Sequence, residues 1–172
     1  GSVQLSGYKT WVACSASLSH LVIKADRGEA ANYYSIERAT EGLNLTDKYG
    51  GFLAEMSQGV AHLDNVAVPT PLDASQVAHF GLRETLYIYT AFCAWAGKFV
   101  AQAERCERLI QRLATLVANV PANLEGLAEL KEVDHAVQAL RAEVPESASP
   151  AWGKDQRLIS MYSPGLQKRQ IT

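Results

Sequence analysis

Apolar positions recur every three or four residues along most of the chain, a spacing typical of helices. Trp11, Leu18 and Leu21, for example, fall on one face of a predicted first helix. Strand-like alternation is scarce, and Gly and Pro stand mostly between the periodic stretches. The pattern therefore predicts four helices, near residues 8–40, 47–65, 74–120 and 123–144.

The third predicted helix carries the strictest pattern. Steps of three and four residues lead from Leu82 to Val120, with Thr85 as the one polar member. Such a heptad repeat is typical of a coiled coil, and a single helix here would be roughly 65–70 Å long at 1.5 Å per residue. With Trp95 from a flanking apolar line, the sequence predicts an interaction seam made of Leu82, Tyr89, Phe92, Trp95, Ala96, Phe99, Ala103, Cys106, Ile110, Leu113 and Val117.

The remaining segments complete the predicted organisation. Gly1-Ser2 is typical of the pair that tag cleavage leaves, so residues 1–7 are predicted to be a tag remnant and flexible start. Residues 8–144 are predicted to form a helical bundle domain, and residues 145–172 a linker and basic tail. The predicted fold class is all-α, an elongated helical bundle with one long heptad-patterned, coiled-coil-like helix.

Charge separates the possible partners. The 172 residues carry a formal net charge of −2, so no whole-molecule field favours nucleic acid or anionic lipid. A basic stripe repeats along the outer face of the long predicted helix, at Lys98, Arg105, Arg108 and Arg112. Charge runs of this kind usually serve solvation, but each exposed Lys or Arg contributes about 1 kcal/mol to binding near an anionic membrane.

No pattern of reactive side chains points to catalysis. The four histidines stand on separate predicted helices, and the three cysteines form no CxxC pair. Gly-rich phosphate loops, nucleophile elbows and zinc-protease motifs are absent from the sequence. The sequence therefore predicts no enzyme, no cofactor and no metal. The odd cysteine number and the lack of a membrane-length apolar run predict a cytoplasmic protein, possibly peripheral to membranes.

Part of the chain resembles a known helical family. The stretch from Leu82 to Tyr89, continuing through Ala94 and Lys98 to Arg105, resembles the middle helix of BAR domains in sorting nexins. Tyr33 through Leu63 is similar to the end of their first helix. The resemblance implies an antiparallel helical homodimer that binds or shapes membranes in endosomal traffic.

Three functions are compatible with these patterns. The first is a non-enzymatic interaction or scaffold module that self-associates or binds a partner helix, in which Phe99→Asp should disrupt the seam. The second is a peripheral membrane scaffold of BAR type. A nucleic-acid mediator is disfavoured, because residues 1–150 carry a net charge of −5.

Overall fold

The computed structural model describes residues 3–27, 30–48, 53 and 56–170. The chain divides into two compact units, a strand unit (Gly1–Ala78) and a helical unit (His79–Thr172). Strands and the turns between them occupy the described parts of the two predicted helices near 8–40 and 47–65, so the predicted all-α class is wrong. Residues 49–52, 54 and 55 of the second predicted helix, and the Gly1-Ser2 pair, lie outside the described residues.

The strand unit contains two antiparallel sheets. One has three strands in the order β1-β5-β4, and the other pairs β2 with β3. The pairing joins distant residues, since Val3 of β1 lies opposite Val68 of β5. The five strands are β1 (Val3–Ala13), β2 (His20–Arg27), β3 (Ala30–Glu37), β4 (Leu43–Asp47) and β5 (Gln58–Val68).

Alternation with a period of two explains why these residues form strands. In β2, Leu21 and Ile23 are buried while Val22 and Lys24 are exposed. Side chains alternate between the two faces of a strand, so this order places every second residue in the core. Leu21 and Ile23 join side chains from β3 and β5 in one core, formed by Leu21, Ile23, Tyr34, Ile36, Ala61, Leu63, Val66 and Val68.

The helical unit packs four helices around a separate core. A short helix, α1 (Ala74–Val77), precedes it within the strand unit. The residues predicted to be a linker and basic tail contain a 3-10 helix and a full helix, whose Trp152, Ile159 and Leu166 are buried. The four helices are α2 (Phe80–Ala96), α3 (Ala103–Ala118), α4 (Leu124–Glu143) and α5 (Trp152–Gln167).

The long predicted helix is interrupted between α2 and α3. Turn hydrogen bonds from Lys98 N to Trp95 O and from Phe99 N to Ala96 O end α2. The chain then folds back and brings Gly97 close to α3. A Cβ added to Gly97 would lie 3.5 Å from Cβ of Cys106 on α3. Two separate helices that face the same core give the heptad pattern that one continuous helix would show. The predicted coiled-coil-like helix is therefore wrong.

Candidate functional site

A buried polar cluster lies among α2, α4 and α5. Its centre is Asp134 of α4, which has no exposed surface. One carboxylate oxygen, Oδ1, accepts a hydrogen bond from the Tyr89 hydroxyl at 2.6 Å. The other, Oδ2, accepts from Ser163 Oγ at 2.6 Å and from Gln167 Nε2 at 2.6 Å. Both oxygens are therefore satisfied by side chains from two neighbouring helices.

Gln138 connects this cluster to the backbone of α5. Its Nε2 donates to the Tyr89 hydroxyl oxygen and to the carbonyl of Ile159, each at 3.0 Å. An amide nitrogen has two hydrogens, so it can make both bonds. Tyr89 in turn keeps its single proton for the carboxylate. The buried polar cluster is thus Tyr89, Asp134, Gln138, Ser163 and Gln167, a connected network across three helices.

No cation contacts the Asp134 carboxylate within the described part of the chain, whereas Arg141 Nε donates to Oε1 of Gln138, another member of the cluster, at 3.1 Å. Among the described residues, no Lys, Arg or His nitrogen lies within 4.0 Å of the Asp134 carboxylate. A buried carboxylate is costly unless hydrogen bonds replace its lost hydration, and here three neutral donors do so. Burial raises the pKa of Tyr89, and the hydrogen bond to Asp134 raises it further. The phenol therefore remains a proton donor at neutral pH.

Asp134 was missed by the sequence analysis, although a signal exists. It stands between Val133 and Val137 on a helix whose apolar positions face the core. A charged residue inside such an apolar line, together with a Tyr on the predicted seam, indicates a buried hydrogen-bonded pair. The predicted seam rested on the spacing of apolar residues alone, so it did not include Asp134.

The predicted interaction seam is distributed through the core of the helical unit. Most of its members are buried or partly buried there, and Phe92 stacks on Trp152 with ring centroids 5.6 Å apart. Phe99 is 38% exposed and Ala103 is also exposed. The buried or partly buried members are Leu82, Tyr89, Phe92, Trp95, Ala96, Cys106, Ile110, Leu113 and Val117.

The predicted basic stripe is paired with carboxylates over much of its length. Arg105 contacts Glu143 at 2.5 Å. Arg112 binds both carboxylate oxygens of Glu129, at 2.6 and 2.8 Å. Arg108 lies 3.8 Å from Glu104, one turn away on α3, and Lys98 is exposed in the α2–α3 connection. The three arginines therefore present much less free positive charge than the sequence suggests.

The cysteines differ sharply in access. Cys14 is exposed at the end of β1, with a φ of 55°. Cys93 and Cys106 are buried in the helical core, and burial raises the pKa of Cys93 to about 12. Burial raises the pKa of Cys106 as well. The two buried thiols therefore remain protonated at neutral pH and pack as small apolar groups.

Each unit contains a surface cavity. A groove of about 650 Å³ runs beside the α3–α4 turn, with Leu116 and Val120 among its apolar lining and Glu125, Glu129 and Glu132 also facing it. In the strand unit, a cleft of about 310 Å³ lies between β1 and β2. Among the described residues, no three His, Cys, Asp or Glu side chains converge on a metal position. No described helix is long and apolar enough to cross a membrane.

The fold of the chain is similar to part of the fold of solved acyl-CoA dehydrogenases and of a monooxygenase. The ChsE4-ChsE5 complex from Mycobacterium tuberculosis matches 98% of this chain with a TM-score of 0.62 and 16% identity. Dibenzothiophene monooxygenase TdsC from Paenibacillus sp. A11-2 matches 98% with a TM-score of 0.58 and 14% identity. Butyryl-CoA dehydrogenase from Megasphaera elsdenii matches 98% with a TM-score of 0.57 and 12% identity.

These similarities establish the fold and no finer property. The chain spans 58%, 63% and 56% of those three solved chains, respectively. No protein-family model matches the sequence, and no curated protein matches it. The fold nevertheless overturns the predicted BAR resemblance and the predicted non-enzymatic scaffold, because the structural neighbours are enzymes of a mixed strand-and-helix fold.

Proposed function

We propose that this chain is part of a flavin-dependent redox enzyme that acts on acyl thioesters of coenzyme A. The observation that carries the proposal is the fold match, which extends over both the strand unit and the helical unit. Two of the matched enzymes are named for acyl-CoA substrates, butyryl-CoA dehydrogenase and glutaryl-CoA dehydrogenase in its glutaryl-CoA complex.

The choice of cofactor follows from the two chemistries that share this fold. Dehydrogenation of an acyl chain needs an acceptor for two electrons, which amino-acid side chains do not provide. A monooxygenase must in addition activate oxygen. Flavins support both hydride transfer and oxygen chemistry, whereas nicotinamides support only the first. A flavin is therefore the cofactor class that would serve both of these chemistries.

Neither described cavity fits a flavin dinucleotide. The groove beside the α3–α4 turn presents Glu125, Glu129 and Glu132. Arg112 contacts Glu129 and Glu132 but offsets only one of the three negative charges, so the remaining charge would disfavour a pyrophosphate. The cleft between β1 and β2 has a volume of about 310 Å³, which is at the lower limit for ligand pockets, and its lining is mostly polar. No reaction step is therefore assigned to side chains of either cavity.

Flavin binding and reduction test the proposal. The purified chain is titrated with FAD while flavin fluorescence is followed, and butyryl-CoA is then added without oxygen. Binding followed by loss of the flavin absorption band would support an acyl-CoA dehydrogenase. Binding without reduction by butyryl-CoA, or by glutaryl-CoA added in its place, would argue against acyl-CoA dehydrogenation and favour monooxygenation of another substrate. A folded chain that binds no FAD would refute the cofactor assignment, and circular dichroism checks the folding.

We also propose that the protein works as an oligomer. The ChsE4-ChsE5 structure is a complex of two different proteins, which supports the expectation that a chain of similar fold also assembles. Light scattering after gel filtration measures this directly. A mass of one chain at micromolar concentration would contradict the expectation.

A further inference from the structure

The C-terminal half of α5, residues 160–167, contacts the helical core through buried Leu166 and partly buried Tyr162, and it is joined to α4 by hydrogen bonds. All eight residues are described, and Leu166 is the one whose side chain is buried. Ser163 and Gln167 each donate to the Asp134 carboxylate at 2.6 Å. Gln167 also donates to the carbonyl of Lys131 at 3.3 Å. The contact is therefore more polar than the rest of the helical core.

The same segment is a weak helix in its own right. Pro164 has no N–H, so the Ser160 carbonyl loses its partner four residues on. Gly165 follows directly, and nothing lies within 4 Å of a Cβ built there, so no close packing requires a glycine. A glycine inside a helix costs about 1 kcal/mol relative to alanine. Local helix stability therefore adds little to the docking of residues 160–167.

Rehydration of the Asp134 carboxylate lowers the free-energy cost of separating residues 160–167 from α4. While the segment is docked, the carboxylate is desolvated and depends on its donors. When residues 160–167 move away, Asp134 loses two of these donors and regains water. An apolar contact of the same size would instead expose hydrocarbon to water. Segments with few buried apolar contacts are the ones that open locally in native proteins.

We propose that residues 160–167 open from α4 as a unit, starting at Ser160, whose carbonyl Pro164 leaves without a helical partner, while α2, α3 and α4 stay folded. Asp134 is the group that holds the segment closed, through Ser163 and Gln167. The N-terminal half of α5 remains anchored, because Trp152 and Ile159 are buried and Trp152 donates to the Val144 carbonyl at 3.3 Å. This inference is independent of the reaction proposed above.

Hydrogen exchange followed by mass spectrometry on the full chain tests the opening. Ser163→Ala removes one donor and leaves Tyr89 and Gln167 on the carboxylate, so the protein should still fold. Exchange of the amides in 160–167 should become about tenfold faster, as expected for loss of a hydrogen bond to a charged group. Amides inside α3 should exchange at the rate of the unchanged protein.

Two further variants separate local opening from a general loss of stability. Val137→Ala leaves a cavity on α4 close to Asp134, and should speed exchange throughout the helical unit wherever amides exchange by global unfolding. Pro164→Ala restores a backbone donor and should slow exchange in 160–167. The inference is overturned if Ser163→Ala speeds α2, α3 and α4 by the same factor as 160–167, or leaves 160–167 unchanged.

Discussion

In the ion pair between Arg112 and Glu129, the arginine changes the pKa of the carboxylate. Both side chains are 37% exposed and joined by two hydrogen bonds. The bond from Arg112 lowers the pKa of Glu129 below its usual range. A carboxylate with a lowered pKa adds stability above its unfolded pKa, and this contribution is lost as the pH falls through the folded pKa. Exposure limits the gain, because solvent screens the pair.

Glu129→Gln should therefore destabilise the helical unit in a pH-dependent way. At neutral pH, the free energy of unfolding should fall by roughly 0.5–1 kcal/mol, the upper range for exposed pairs. The difference between variant and parent should vanish in acid, below the folded pKa of Glu129. Urea unfolding at several pH values measures it. Glu104→Gln is the control, since its contact with Arg108 is longer, at 3.8 Å, and more exposed. An equal effect of the two substitutions would contradict the assignment.

At the scale of elements, the signals of a helix lie close together in the sequence, whereas strand pairing can join distant residues. The pattern placed a helix at 123–144, and α4 runs from Leu124 to Glu143, where Asn123 caps its first turn by accepting from Gly126 N. Capping residues and apolar periodicity are local, so the sequence displays them. The pairing of β1 with β5 was missed because it joins residues about as far apart as Val3 and Val68, and no local window contains both.

The break between α2 and α3 changes what Phe99 is expected to do. It lies in the connection and is 38% exposed, whereas Leu113 on α3 is fully buried. Phe99→Asp should keep the helicity and lower stability by about 1 kcal/mol, through lost contact with the Trp95 ring 4.9 Å away. Leu113→Asp should unfold the helical unit, because it buries an unpaired charge.

Circular dichroism and thermal melting of the two variants decide between the continuous and the interrupted helix. Equal unfolding of both would restore the continuous seam predicted from the sequence. A folded Phe99→Asp protein beside an unfolded Leu113→Asp protein would agree with the structure.

At the scale of the whole molecule, two separate cores account for the division into units. The strand core draws on β2, β3 and β5, and the helical core on α2 to α5. The helical core has the stronger sequence signal, because its apolar residues recur every three or four positions. The apolar residues of the strand core alternate only over short runs. The sequence marks Asp134 as a charged residue in an apolar line, but its bonds to Ser163 and Gln167 depend on which helices meet there, and no pattern along the chain shows that.

Residues 79–172 should fold without the strand unit. Their core is built from side chains of the helical unit itself, so the fragment retains the burial that stabilises it. Its far-UV spectrum should be helical and its melting cooperative. Leu140→Ala in the fragment should lower the free energy of unfolding by about 2–5 kcal/mol, which confirms native packing. A non-cooperative melt, insensitive to Leu140→Ala, would argue against an autonomous unit.

The distribution of the three thiols has a practical consequence. Cys14 is exposed in the strand unit, while Cys93 and Cys106 are buried and held protonated. A maleimide dye or spin label should attach at Cys14 in the native protein, because thiol reactivity requires both access and the thiolate form. The chain thus offers a single labelling position without removal of any cysteine, and a probe there would report on the strand unit while the helical core stays unmodified.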